Sequence, residues 1–220
     1  MTDLVIFGTG DIARLAHYYF STDSPFRVIA FAVDAAYRQG DEFLGLPLVD
    51  FESVEERFPP TACQFFVALS YAKMNRLRAE RYADSIAKGY VLASYVSSRC
   101  TWLAGTPPGD NCFILEDNTV QPFVTIGNNV TLWSGNHIGH DSVIEDHCFL
   151  ASQIVVSGRV RIRSYCFIGV NATLRNAITI APGTLIGAGA IIMKDTVENG
   201  VYVPRRAELL PGRNSFEIEL

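Results

Sequence analysis

The chain lacks a hydrophobic run of membrane-spanning length and any excess of positive charge. No uninterrupted apolar stretch approaches the roughly 20 residues a bilayer-crossing helix needs. Met1-Thr2-Asp3 opens no signal peptide, so an exported protein is not expected. Acidic residues outnumber basic ones, 23 to 18, giving a net charge of −5. That balance argues against a nucleic-acid surface. The five cysteines, Cys63, Cys100, Cys112, Cys148 and Cys166, are odd in number and show no metal-type spacing. A reducing cytoplasm is the expected compartment. Low-complexity sequence is absent as well.

What is plentiful is apolar, at 49% of residues, with a mean hydropathy of +0.17. The excess is periodic. From Ile114 to Ile192 every sixth residue is aliphatic without a break. Four places after each stands a small, polar or β-branched residue, among them Asn118, Asn136, Ser142, Cys148 and Cys166. A helix of period 3.6 cannot hold a repeat of six, and plain strand alternation would not single out one position in three pairs. A hexapeptide β-helix can, because each hexad is a short strand plus a corner and three hexads close a triangular coil. The 84 residues from Ile114 to Val197 make about four and a half coils. Trp102 and Pro108 stand in register with Val96 and Ile114, so the solenoid begins near Val96 with irregular early coils. Thr106-Pro107-Pro108-Gly109 is a corner or a small excursion. Cys148 and Cys166 occupy small-residue positions and read as packing thiols.

The first ninety residues follow other rules. Leu4–Phe7 is an apolar strand that stops at Gly8-Thr9-Gly10-Asp11, and an amphipathic stretch runs from Ile12 to Phe20. A second strand, Arg27–Val33, ends in Asp34; Leu46-Pro47-Leu48 is a short extended piece and Phe51–Phe58 is helical. Phe65–Leu69 reads as a buried strand, Ala72–Lys88 as the strongest helix, closed by Gly89, and Val91–Tyr95 as a last strand. Strands alternating with helices indicate a small parallel, Rossmann-like α/β sheet. The expected division is residues 1–95 for a nucleotide- or nucleotide-sugar-binding domain, 96–200 for the β-helix and 201–220 for a capping tail.

Gly8-x-Gly10-x-x-Ala13 follows a strand and opens a helix, the setting of a phosphate loop or of a plain strand-to-helix turn. Asp34 ends the second strand, where a carboxylate commonly binds ribose hydroxyls. Ninety residues supply one mononucleotide half, so a nucleotide-sugar fits better than a dinucleotide. Thr9, Ser70, Asn75 and Arg78 are further candidates for the same ligand; for Arg78 a solvated helix face competes.

In a triangular coil, residues 18 apart lie about 4.8 Å over one another. Asn118 should therefore stack on Asn136, His140 over Gly158 and Asp141 over Arg159, the last as an ion pair. A residue without a side chain leaves an open slot beside the His140 imidazole. Among the other histidines, His137 is a corner residue or a substrate contact, His147 points outward to solvent, and His17 has a surface or packing role.

Ile138-Gly139-His140-Asp141-Ser142-Val143-Ile144, the run Cys166–Thr173, and Ile186-Gly187-Ala188-Gly189-Ala190 together resemble the bacterial sugar O- and N-acyltransferases of the hexapeptide-repeat group, over nearly the whole chain. That group contains sialic acid O-acetyltransferases and nucleotide-amino-sugar N-acetyltransferases. The resemblance implies an α/β domain followed by a left-handed parallel β-helix, a homotrimer, and acetyl-CoA bound between neighbouring subunits without a metal. It implies His140 as general base and Asp141 as its supporting carboxylate. It places Gly158, Gly187, Arg205 and Arg206 near the coenzyme, the arginines on a CoA phosphate. Three departures stand out. Where many relatives carry a second histidine, Phe149 and Gln153 stand here. The usual Gly-x-Pro-Ala tail is replaced by Tyr202-Val203-Pro204-Arg205-Arg206. The glycine loop is shorter than the relatives' Gly-x-x-Gly-His.

Acyl transfer from a thioester needs a deprotonated nucleophile, a donor to the oxyanion and alignment of both substrates. An imidazole can accept a proton at neutral pH, and a carboxylate on its other nitrogen fixes the tautomer. Residue types alone leave Asp141, Glu116 and Asp117 open as that carboxylate, and a backbone N–H near Gly158 as the oxyanion donor. The expectation is an acetyl-CoA-dependent N-acetyltransferase of a nucleotide-linked amino sugar, working by direct transfer in a ternary complex in surface glycan biosynthesis. An O-acetyltransferase is the alternative. A zinc hydratase would need His137, His140 and His147 to converge, and a non-catalytic scaffold or nucleotide sensor would need no base at all.

Overall fold

The computed structural model describes residues 1–205, 207–209, 211, 212, 214 and 216. Five strands form the first sheet: β1 (Thr2–Phe7), β2 (Phe26–Val33), β3 (Glu42–Phe43), β4 (Leu46–Asp50) and β5 (Gln64–Val67). Their order is β3-β4-β2-β1-β5, parallel except for the β3–β4 hairpin. Helix α1 (Asp11–Thr22) starts at the end of β1, and the short α2 (Val54–Arg57) follows a single 3-10 turn. On the α1 side of the sheet, Leu4, Ile6, Phe20, Phe31 and Phe66 share one core with Tyr95, Phe113 and Leu115 of the β-helix. The other side, with Val5, Phe7, Phe65 and Val67, closes under Phe51 and Val54.

Helix α3 (Arg76–Ala87) begins four residues later than the Ala72 expected from sequence. Lys73, Met74 and Asn75 all adopt left-handed backbone, with φ of 52°, 54° and 65°. Three such residues cannot continue a right-handed helix. Val91–Tyr95 is likewise not a full strand. Leu92 makes one parallel bridge to Phe65, whereas Tyr95–Val96 pairs with Phe113–Ile114 and opens the β-helix.

The solenoid is a three-sided prism of two-residue parallel strands. One face has seven strands, from Tyr95–Val96 to Val201–Tyr202; the others have six and four. Register advances by 18 residues per coil, as in Thr131↔Phe149 and His137↔Val155. The last coil is short by two residues, Leu185 pairing with Val201, so two residues expected in the tail belong to the prism. Every aliphatic of the hexad series from Ile114 to Ile192 is buried in one continuous core. Full burial of each contributes about 1.5–3 kcal/mol. Asn118 and Asn136 stack as expected, the Asn136 N–H donating to Asn118 Oδ1 at 3.1 Å.

Corners follow a rule that the hexad pattern does not display. From Asn111 to Gly189 every sixth residue has a positive φ, although most of them are not glycine. An L-residue there costs roughly 1–2 kcal/mol. The cost is offset by a ladder bond, since the N–H of the left-handed residue donates to a carbonyl one coil back, as Asp141 does to Pro122 and Arg159 to His140.

Outward positions differ by face. The seven-stranded face presents Tyr95, Phe113, Phe149 and Phe167, and it is this face that the α/β unit covers. Among the described residues no helix is long and apolar enough to cross a membrane.

Candidate functional site

His140 stands at the edge between strands His137–Ile138 and Val143–Ile144. Asp141 takes the left-handed corner, φ 57°, which turns its side chain back toward its neighbour. Its Oδ2 lies 2.7 Å from His140 Nδ1. A carboxylate only accepts, so Nδ1 carries the proton and the Nε2 lone pair is free. One coil on is Gly158. A Cβ there would lie 2.6 Å from His140 Nε2, so any other residue would push the imidazole aside. Among the described residues no acceptor takes the Gly158 N–H. A proton acceptor and an amide N–H without a protein partner among the described residues thus stand on successive coils of one edge.

The expected Asp141–Arg159 ion pair does not form among the described residues. The corner commits Asp141 to His140, and Arg159 is left exposed with its N–H on the His140 carbonyl. Glu116 and Asp117 sit on a different edge. Glu116 is occupied by Tyr19 Oη and Ser134 Oγ, both at 2.8 Å, and Asp117 is exposed.

The glycine loop opens onto a cavity of about 680 Å³ between the α/β unit and the seven-stranded face. Gly10, Asp11, Ile12, Ser70 and Tyr71 line it from one side, and Trp133, Phe149, Ser152 and Phe167 from the other. Gly8 makes the approach possible, because a Cβ there would meet the Ala68 carbonyl oxygen at 2.9 Å. The first N–H groups of α1 point out of the helix beside Gly10, a favourable end for an anion. Thr9 does not line the cavity. Phe149 stacks on Phe167 with centroids 5.8 Å apart and walls the cavity, whereas Gln153 is exposed and covers Gly135. The aromatic wall went unread in sequence, although part of its signal is there: Phe149 and Phe167, 18 apart, each directly precede a hexad aliphatic.

Asn75 and Arg78 do not reach this cavity. Both are buried between α3 and the prism. Asn75 Nδ2 donates to the Cys166 carbonyl at 3.1 Å. Arg78 donates to Thr131 Oγ1, the Cys148 carbonyl and Asn75 Oδ1, and lies over the Phe149 ring. Its Nε has no partner, and burial pulls its pKa down to about 10. The pair ties the two units together. His147 departs from expectation in the same way. It is half-buried beside Tyr82 and Tyr165, and burial lowers its pKa. The Val67 N–H donates to Asn111 Oδ1, Asn111 Nδ2 to Asn129 Oδ1, and Asn129 Nδ2 to His147 Nδ1 at 2.9 Å. His17 packs against Phe31, and His137 is half-buried on its strand.

Asp34 is closed in an ion pair with Arg81 at 3.0 Å and lies outside the cavity. Gly187 is half-buried, with Val203 against one side and its N–H donating to the Tyr202 carbonyl. Arg205 is exposed just beyond the last strand, and Arg206 lies outside the described residues. His137, His140 and His147 occupy separate sites, and among the described residues no three His, Cys, Asp or Glu side chains converge as metal ligands.

No family model matches the chain. A UDP-N-acetylglucosamine O-acyltransferase of Campylobacter concisus, with acyl-carrier protein as donor, is 23% identical over 146 residues, covering 63% of this chain and 51% of that protein. The chain thus spans about half the length of the curated relatives it matches. Among solved structures, the acetyltransferase domain of PglB from Neisseria gonorrhoeae superposes with a TM-score of 0.82 at 20% identity, covering 96% of this chain and 100% of that one. PerB of Caulobacter crescentus, solved with CoA and GDP-perosamine, gives 0.81 at 20% identity over 93% and 95%. The chain has the fold of these acetyltransferases and sequence similarity, over part of its length, to the UDP-N-acetylglucosamine O-acyltransferases.

Proposed function

We propose that the chain is an acetyl-CoA-dependent N-acetyltransferase of a nucleotide-linked amino sugar, a cytoplasmic homotrimer built on a left-handed β-helix that serves surface glycan biosynthesis. The observation that carries this reading is the His140–Asp141 pair with its free Nε2 over the Gly158 notch. CoA and GDP-perosamine bound to PerB support the choice of substrates.

The acceptor enters as an amine that has already lost one proton to solvent. Its nitrogen attacks the thioester carbonyl carbon while His140 Nε2 takes the second proton. The Gly158 N–H donates to the oxyanion, a contact worth about 10²–10³ in rate. Asp141 holds Nδ1 and stabilises the imidazolium that forms. Collapse breaks the carbon–sulfur bond, and the departing CoA sulfur receives the proton from His140. Asp11, Ser70 and Gly10 bound the cavity that takes the nucleotide-sugar, with its phosphates toward the start of α1. The cavity lies off one prism edge and His140 on the next, so a neighbouring subunit brings the two together. Arg205 and Arg206 remain candidates for a CoA phosphate.

Purified protein, acetyl-CoA and a panel of UDP-, GDP- and dTDP-amino sugars should release free CoA, detected by a thiol reagent. Full turnover by His140→Ala would overturn the mechanism. O-acyl transfer is a second reading, favoured by the sequence similarity to a UDP-N-acetylglucosamine O-acyltransferase. Turnover of a hydroxyl acceptor in preference to every amine would establish it.

A further inference from the structure

Along the edge that carries His140, the residue just before each left-handed corner has no backbone carbonyl as partner for its N–H. Ladder bonds are made instead by its neighbours, as by Gly139 to Val156 and Asp141 to Pro122. Pro122 has no N–H to satisfy, and that of Gly158 is free. The His140 N–H is different: it donates to Gln121 Oε1 at 2.9 Å. Gln121 is itself fixed, its own N–H bonded to the Ile138 carbonyl at 3.0 Å. Residue 139, directly over Gln121 in the stack, is glycine, so no side chain stands between the amide and His140. A Cβ at Gly139 would lie 2.5 Å from the Ser157 carbonyl carbon, so the following coil also requires glycine at this position.

We propose that Gln121 is a positioning residue for acyl transfer, holding the corner from which His140 and Asp141 project. This rests on the reading of His140 as the base. Both side chains of the pair are about half exposed, so packing does little to hold them. Beside the ladder bonds of the Gly139 and Asp141 N–H groups, two contacts fix His140 itself: its carbonyl, held by the Arg159 N–H, and its N–H, held by Gln121. Losing the second lets the peptide between Gly139 and His140 rotate. Asp141 then loses its line to Nδ1, and Nε2 moves off Gly158. Gln121 acts through His140 and needs no contact with substrate.

The test uses the full chain with Gln121→Leu and Gln121→Glu, read by CoA release and by nitrogen NMR of the histidine side chains. Gln121→Leu should lower kcat about tenfold through misplacement of the base. KM for both substrates should stay within about twofold, and the His140 tautomer signal should change from Nδ1–H to a mixture. Gln121→Glu keeps an acceptor and should recover most of kcat. A Gln121→Leu protein with unchanged kcat and tautomer, while His140→Ala is inactive, overturns the proposal. Equal losses in both variants overturn it too, since only Leu removes the acceptor. If the unmodified protein transfers acetyl to no amine, the functional reading fails. The tautomer signal then decides on Gln121 alone.

Discussion

His140 and His147 sit at successive corners of one coil, and the hexad repeat treats them almost alike. The neighbours decide what each can do. At the His140 edge the prism meets solvent, and the residues above and below are small or polar: Gln121, Gly139 and Gly158. The imidazole keeps one nitrogen free. At the His147 edge the prism meets α3, and Tyr82, Tyr165 and Asn129 enclose the ring. There Nδ1 is spent on accepting from Asn129, and burial holds the ring neutral. One repeat thus yields a reactive histidine and a structural one, according to whether the α/β unit covers the edge.

The comparison can be broken hardest at His140. His140→Ala should lower kcat by about 10²–10⁴ without altering the melting temperature, because the side chain packs on nothing that folding needs. Gly158→Ala should come next. The new methyl would occupy the space of Nε2, and displacing the base by about 1 Å costs on the order of 10² in kcat. Stability should hardly change, since the imidazole end can move into solvent. Equal activity in Gly158→Ala and the unmodified chain would show that the notch is not where transfer occurs.

The covered edge should respond in the opposite way. Arg78→Leu removes the donors to Thr131 Oγ1 and the Cys148 carbonyl, and leaves Asn75 Oδ1 unpaired. Relief of the guanidinium desolvation offsets part of this, leaving a loss of about 2–3 kcal/mol in urea unfolding. The kcat of the folded fraction and KM for the acceptor should stay near their starting values. A large rise in that KM with no loss of stability would return Arg78 to the nucleotide site.

The prism was legible in the sequence because its core repeats every six residues, and Ile114 to Ile192 needed no three-dimensional information. The stack of His140 over Gly158 followed from the same count. Most of what escaped lies in contacts between distant segments. Arg78 and Asn75 lie on an ordinary-looking helix, and only the carbonyls of Cys148 and Cys166 explain their burial. The left-handed corners escaped because Asp141, Gln153 and Arg159 share no residue type, only a position. Asp34 looked like a ribose ligand at the end of β2, but Arg81, 47 residues away, closes it. Gln121 carried no motif of its own. Its meaning lies in the stack one coil further on.

The smallest effect tests the covered edge through pH. An unfolded chain protonates His147 near pH 6.5, whereas burial lowers that value in the folded protein. Between the two values the unfolded state holds more protons, so stability falls as pH drops through this window. Above it the group contributes no slope. His147→Asn suits a corner with φ of 63° and still offers an oxygen to Asn129 Nδ2. Asparagine does not titrate, so the variant should lose less stability than the unmodified chain between pH 7 and pH 5, measured as urea midpoints. His17, also lowered by burial, is present in both proteins and cancels in the difference. Parallel midpoint curves for the two proteins would mean that His147 is as open to water as His140, and the contrast between the edges would collapse.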